Sequence, residues 1–212
     1  MKKLSKRIHV VTRYFYPVSQ DMENMMLDLY SNFVKEGWDV IVHTSNDTLS
    51  HKRFLSPRKL YNGITIRRYK SHFWGFIPRI KWHKADIVVL HGKNPAANIY
   101  VLMSTIMKEL TGKKKYALII SLHKTVTRSV MIINQVADAV LADIEEVKSL
   151  IKMGVRHDKI TVMNNTELYT QIETLFTALM NTVRGKPSYS QKKNVINSGS
   201  FWKSIQMAGR KN

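Results

Sequence analysis

The chain contains no cysteine. That removes disulfides, thiolate metal sites and cysteine nucleophiles together, and it fits a reducing compartment or a hot one. Acid is scarce as well: 15 Asp and Glu stand against 34 Lys and Arg, a formal net charge of +19. The first partners to consider are therefore polyanionic surfaces, whether nucleic acid, anionic lipid or a phosphorylated ligand. The deficit is uneven. Thr48 to Ala85 holds no acidic residue, while Lys52, Arg53, Arg58, Lys59, Arg67, Arg68, Lys70, Arg79, Lys81 and Lys84 are all basic, and a second acid-free stretch runs from Arg184 to Asn212. No run of eighteen or more apolar residues is present to serve as a membrane span. Nor does a secretory apolar region follow the basic "MKKLSKR", which passes directly into the strand-like "IHVVT", so the expected location is cytoplasmic, peripheral at the inner membrane face where a membrane is met.

What is present reads as alternating strands and helices. "RIHVVT" is short, apolar and β-branched, and Pro17 and Ser19 break it before Met22, Met26, Leu29 and Phe33 repeat at helical spacing, with Gly37 as the stop. "WDVIVHT" completes a β-α-β unit, whose two strands should be parallel. A polar, basic loop with Pro57 and "YNG" as turn signals leads to "ITIRRY", which alternates like a strand with one wet face. "DIVVLHG", "YALIISLH", "ADAVLA" and "KITVM" are further strand-like runs, separated by the helical patterns "NPAANIYVLMSTIMKELTG" and "DIEEVKSLIKMG". The rhythm predicts an α/β fold, a Rossmann-like doubly wound parallel sheet. At 212 residues there is room for one such domain, residues 1–165, and a C-terminal helical appendage with a basic tail, residues 166–212.

In order and spacing, "YFYPVSQDMEN", "EGWDVIVHTS", "ADIVVLHG", "LIISLHKT" and "ADAVLADIEEVKSLIKMGVRHDKITVMNN" resemble the N-terminal domain of GT-B glycosyltransferases of the glycosyl transferase family 4 group, along residues 7–165. "IETLFTALMN" and "SGSFWKSIQ" resemble the closing helix with which full-length relatives return to that domain. The resemblance implies transfer of a sugar from a nucleotide-sugar to a glycan or lipid-linked, membrane-associated acceptor. It also implies a chain limited to the acceptor-side domain, working with a second polypeptide that carries the donor domain. The nucleotide-sugar is a co-substrate, and neither a cofactor nor a metal is expected.

The same resemblance names candidate cleft residues: Tyr16, Gln20, Asp21 and His91, with His123 as the catalytic candidate near the reacting centre. Gln20 and Asp21 occupy the positions of a Gly-Gly turn that lets a diphosphate approach a helix N-terminus. A carboxylate at Asp21 repels phosphate and reads better as a helix N-cap. His91 and His123 end apolar strands, where open α/β sheets bind ligands, although either also suits a structural role. Asp138, Asp143, Glu145 and Glu146 read as structural, the last two as acids favoured in a first helical turn. No P-loop, G-x-G-x-x-G or Ser-His-Asp order is present.

A last candidate is "SHFWGFIPRIKWHK", in which Phe73, Trp74, Phe76 and Trp82 alternate with Arg79, Lys81 and Lys84. That composition suits an anionic lipid headgroup layer. Core packing of the rings with the cations in water accounts for it equally, and a single-strand nucleic-acid groove is the lesser alternative, since no RRM, KH or helix-turn-helix pattern accompanies it. The rival to sugar transfer is therefore a non-catalytic basic module that binds anionic membrane or nucleic acid.

Overall fold

The computed structural model describes residues 6–18, 21–46, 55–69, 85–91, 116–122, 137–163 and 168–183. The apolar runs become eight strands: β1 (Arg7–Val11), β2 (Asp39–Ser45), β3 (Arg58–Tyr61), β4 (Ile64–Tyr69), β5 (Ile87–His91), β6 (Ala117–Leu122), β7 (Ala139–Ala142) and β8 (Ile160–Val162). They form one sheet in the order β3-β4-β2-β1-β5-β6-β7-β8, parallel throughout except for β3 against β4. From β1 the chain steps outward to β2 and β4, then returns to the other side of β1 at β5. The strand order thus reverses between β1 and β5, the place where open α/β sheets bind ligands at the carboxyl ends of their strands.

Helices lie on both faces. α1 (Asp21–Lys35) and α3 (Leu168–Val183) share a core with Ile8, Val10, Val42, Ile66, Val89 and Ile119, while α2 (Ile144–Lys152) buries Val147 and Leu150 and contributes Leu150 to the opposite core with Val88, Leu118 and Val140. On α1 the buried side chains Met26, Leu29, Tyr30 and Phe33 recur at three- and four-residue spacing, the period that keeps one helix face on the sheet. The helix ends where Gly37, at φ +81°, lets the Gly37 amide donate to the Val34 carbonyl and the Trp38 amide to the Phe33 carbonyl, two bonds that satisfy the last turn.

The segment set apart as an appendage begins with α3, and that helix lies within the main core. Ile172, Phe176 and Met180 are buried, and the Phe176 ring stacks on Phe33 at 5.1 Å with Trp38 edge-on to both. Among the described residues, no helix is long and apolar enough to cross a membrane.

Two features differ from the sequence reading. The basic loop before "ITIRRY" contains a strand, β3, joined to β4 by the two-residue turn Asn62–Gly63, both at positive φ. An Asn-Gly pair at that place is a hairpin signal, because its backbone twist matches the twist of the flanking strands. Asp143 stands at the N-cap of α2, as expected of a capping residue, but its side chain makes no capping hydrogen bond. The helical pattern at 94–112 and the tail at 184–212 lie outside the described residues.

Asp86 and Asp138 show a second use of acid in this fold. Each immediately precedes its strand and accepts a hydrogen bond from the main chain of the neighbouring one, Asp86 Oδ2 from the Arg7 amide at 2.9 Å and Asp138 Oδ2 from the Leu118 amide at 2.8 Å. Their main-chain amides donate back to the carbonyls of the same two residues. The recurrent "AD" before an apolar run is thus a device for closing the amino edge of a parallel sheet, which agrees with the structural reading of Asp138.

Candidate functional site

At the carboxyl edge of the sheet, on the face covered by α1, the strands change character together. Ile66, Val42, Val10, Val89 and Ile119 are core residues; two positions further along the same strands stand Arg68, Thr44, Thr12, His91 and Ser121. The register makes these five a single cross-strand row. Arg68 is opposite Thr44, and His91 is opposite Ser121; Thr12 follows Val11, whose partners are His43 and Leu90, and so falls between Thr44 and His91. All five are at least 95% buried. Buried polar groups are expensive unless bonded, so their partners are informative.

Three members hold the loop that leaves β1. Thr12 Oγ1 donates to the Tyr14 carbonyl at 3.1 Å, Thr44 Oγ1 to the Arg13 carbonyl at 3.0 Å, and Arg68 Nη2 to the Tyr16 carbonyl at 2.6 Å. Arg68 Nη1 donates to the Ser56 carbonyl at 3.0 Å, which ties the start of the β3–β4 hairpin to the same place. Among the described residues Arg68 meets no carboxylate; burial pushes its guanidinium below the ordinary value, and it donates to two main-chain carbonyls. Tyr16 follows directly, its peptide to Pro17 cis and its ring stacked on Tyr61 at 3.8 Å, with Lys59 Nζ 4.7 Å above the Tyr16 ring.

The fourth member, His91, bonds through Nε2 to Tyr30 Oη on α1 at 2.6 Å. It ends β5 as the sequence indicated. Its ring is 4% exposed and engaged with the helix, which suits positioning of α1 better than direct contact with a ligand. The fifth, Ser121, has a buried Oγ without a hydrogen-bond partner among the described residues. Glu23, one turn N-terminal to Met26 on the buried stripe of α1, is 93% buried with Oε2 likewise unpartnered. Both oxygens are buried, and each can accept a hydrogen bond that no described residue supplies.

On the opposite face of the same strands lies a buried chain of three rings. Tyr69 Oη and His43 Nδ1 are 2.8 Å apart, and His43 Nε2 and His9 Nδ1 are 3.3 Å apart, while His9 Nε2 has no hydrogen-bond partner among the described residues. Burial first, then the charges of Arg7 and Arg67, lowers His9 to about 4 against the weaker opposing pull of Asp39. Burial, then His9 and Arg67, lowers His43 well below its ordinary value. Both are therefore neutral at pH 7.

Of the residues singled out in the sequence, Tyr16, Asp21 and His91 are described, and Tyr16 and His91 belong to this edge. Asp21 is exposed and stands in the first described turn of α1. Gln20, His123 and the segment carrying Phe73, Trp74, Phe76, Arg79, Lys81, Trp82 and Lys84 lie outside the described residues. The sequence reading missed Thr12, Thr44, Arg68, Ser121, Glu23 and the His9–His43–Tyr69 chain. A signal was available: "HVVT", "IVHT", "IRR", "VLH" and "IIS" each turn polar where the strand ends. Among the described residues, no group of three or more His, Cys, Asp or Glu is arranged to hold a metal ion. No protein-family model matches the chain, and no curated protein matches it in sequence.

Proposed function

We propose that the chain is a glycosyltransferase-like protein of the GT-B type, related to the glycosyl transferase family 4 group. In this reading residues 1–165 are the Rossmann-like, acceptor-side domain, α3 completes its core, and the donor-binding half lies outside these 212 residues, in a second polypeptide where none is attached. The reaction is attack of an acceptor hydroxyl on the anomeric carbon of a nucleotide-sugar. The bond to the diphosphate breaks and the hydroxyl proton leaves, with His123 the candidate to hydrogen-bond that hydroxyl. The nucleotide-sugar and a glycan or lipid-linked acceptor are the ligands; the edge near Tyr16, Gln20 and Asp21 receives them, and His91 positions α1.

The observation that carries the reading is the buried polar row beneath the loop after β1, at the place where the strand order reverses. Thr12, Thr44 and Arg68 fix the main chain of Arg13, Tyr14 and Tyr16, so the approach to α1 is held in one shape before any ligand arrives. A preorganised loop at a switch point is what nucleotide and sugar sites in open α/β sheets require.

Asp21 favours a second reading. An exposed carboxylate in the first turn of α1 opposes an incoming phosphate where the helix dipole would otherwise attract it. This supports a basic module without catalysis, binding anionic membrane or, less favoured, nucleic acid.

Thermal unfolding of the purified chain against UDP-, GDP- and CMP-linked sugars separates the two. Ligand at about a hundred times its Kd stabilises the folded state by about 2.7 kcal/mol, roughly 5–10 °C in Tm for a chain of this size. A saturable shift with one nucleotide class means that a donor site is present in this chain and supports sugar transfer by it. Absence of a shift with the nucleotide-sugars is the result expected of an acceptor-side half, and absence of a shift with glycan acceptors as well leaves the binding module.

A further inference from the structure

We propose that the β3–β4 hairpin is a docking surface for an anionic lipid bilayer, on which Arg58 and Arg67 share lipid phosphates and Leu60 enters the headgroup layer. The proposal names a surface for the anionic-membrane binding of the second reading above and rests on that reading; it holds whether or not the chain transfers sugar.

Register provides the first observation. Arg58 stands opposite Arg67 in the antiparallel pair, and Leu60 opposite Thr65 is the next pair on the same face. Directly opposed side chains in such a ladder lie within reach of each other, and like charges there repel. Among the described residues neither guanidinium meets a carboxylate, and none is available nearby in sequence, since no acid occurs from Thr48 to Ala85. A hairpin that keeps two arginines face to face without an acid has a local conflict that an anion resolves, and two guanidiniums side by side suit phosphate oxygens.

The second observation selects a bilayer. Leu60 is 70% exposed, the most exposed large apolar side chain among the described residues. One exposed leucine is ordinary in itself. This one stands between Arg58 and the Asn62–Gly63 turn, on a strand whose Arg58 and Lys59 are exposed, as are Ser56 and Pro57 just before it. An aliphatic tip flanked by cations is matched by a layer that is anionic at the surface and apolar just beneath; phosphate alone or a nucleic-acid strand gives the leucine nothing to enter. β3 is also the outermost strand among the described residues, and Pro57 with its neighbouring cations discourages another strand from adding there.

The test is flotation of the full chain with large unilamellar vesicles of phosphatidylcholine, with and without phosphatidylglycerol, at physiological salt. Binding is expected to the anionic vesicles only. The double variant Arg58→Gln/Arg67→Gln should lower the partition coefficient about 30-fold, about fivefold for each charge removed. Leu60→Ser should lower it several-fold and make the residual attachment fully salt-sensitive. A control that removes the same charge from α2, Lys148→Gln/Lys152→Gln, should change it less than about twofold. Folding is checked in the same samples, because relief of the arginine repulsion should raise Tm by about 1–3 °C in the Arg58/Arg67 variant.

Equal losses in the two double variants would mean diffuse attraction by net charge and would overturn the proposal. So would absence of binding to anionic vesicles, or a single-stranded oligonucleotide or inorganic phosphate held through Arg58 and Arg67 while vesicles are not. A fall in Tm in the Arg58/Arg67 variant would make the pair structural, which also refutes it.

Discussion

His9 offers the most quantitative way to probe the buried interior. In the folded chain it titrates at about 4, because burial and the charges of Arg7 and Arg67 oppose the imidazolium, whereas in the unfolded chain it titrates near its ordinary value of about 6.5. The folded state thus binds the proton less well, and the contribution of neutral His9 is complete above the unfolded value and is lost as pH falls. One pK unit corresponds to about 1.4 kcal/mol, so the loss from this side chain reaches about 2 kcal/mol at pH 5 and about 3 kcal/mol at pH 4. His43 shifts in the same direction and adds to it. Urea denaturation at closely spaced pH values between 7 and 4.5 measures the slope, and His9→Gln isolates this residue by removing its titration. The variant is expected to lose less stability over that interval, by up to about 1.4 kcal/mol per pH unit at the steepest point. An unchanged slope in His9→Gln would refute the account, since it would mean that His9 takes up its proton without unfolding the chain.

Gly63→Ala is expected to destabilise by roughly 2–3 kcal/mol in urea denaturation, because the added Cβ would lie 2.5 Å from Val34 Cγ1 at a residue with φ +76°. Phe176→Ala removes a fully buried ring stacked on Phe33 and should lower stability by about 3–5 kcal/mol; a loss below about 1 kcal/mol would mean that α3 is not part of the core. Arg68→Ala deprives the Ser56 and Tyr16 carbonyls of their donor and should cost about 1–3 kcal/mol. Hydrogen exchange should speed up in residues 13–18 of that variant, while β5 and β6 stay protected.

Much of the sheet could be read in advance, because each parallel strand carries its own evidence in a continuous apolar run between turn residues. β3 escaped because "RKLY" is short and basic, and a strand at the edge needs no apolar face of its own; only the Asn62–Gly63 turn marked it. The candidate edge was legible in part. His91 was identified as ending its strand, but whether a histidine faces a ligand or a helix depends on what α1 places beside it, and α1 places Tyr30. Arg68 looked like one more cation of an acid-free stretch, and nothing local distinguishes a buried arginine from a solvated one when its partners are the carbonyls of Ser56 and Tyr16, 12 and 52 residues away.

The sequence by itself determined the alternation of strands and helices, the helix stop at Gly37 and the strong positive charge, since each depends on neighbours a few residues apart or on composition alone. Only the tertiary structure decided the strand order, the face on which α3 packs and the row of Arg68, Thr44, Thr12, His91 and Ser121. Those five lie on five strands drawn from across 110 residues of chain, and the register of hydrogen bonds between strands, which no local pattern specifies, brings them into one line.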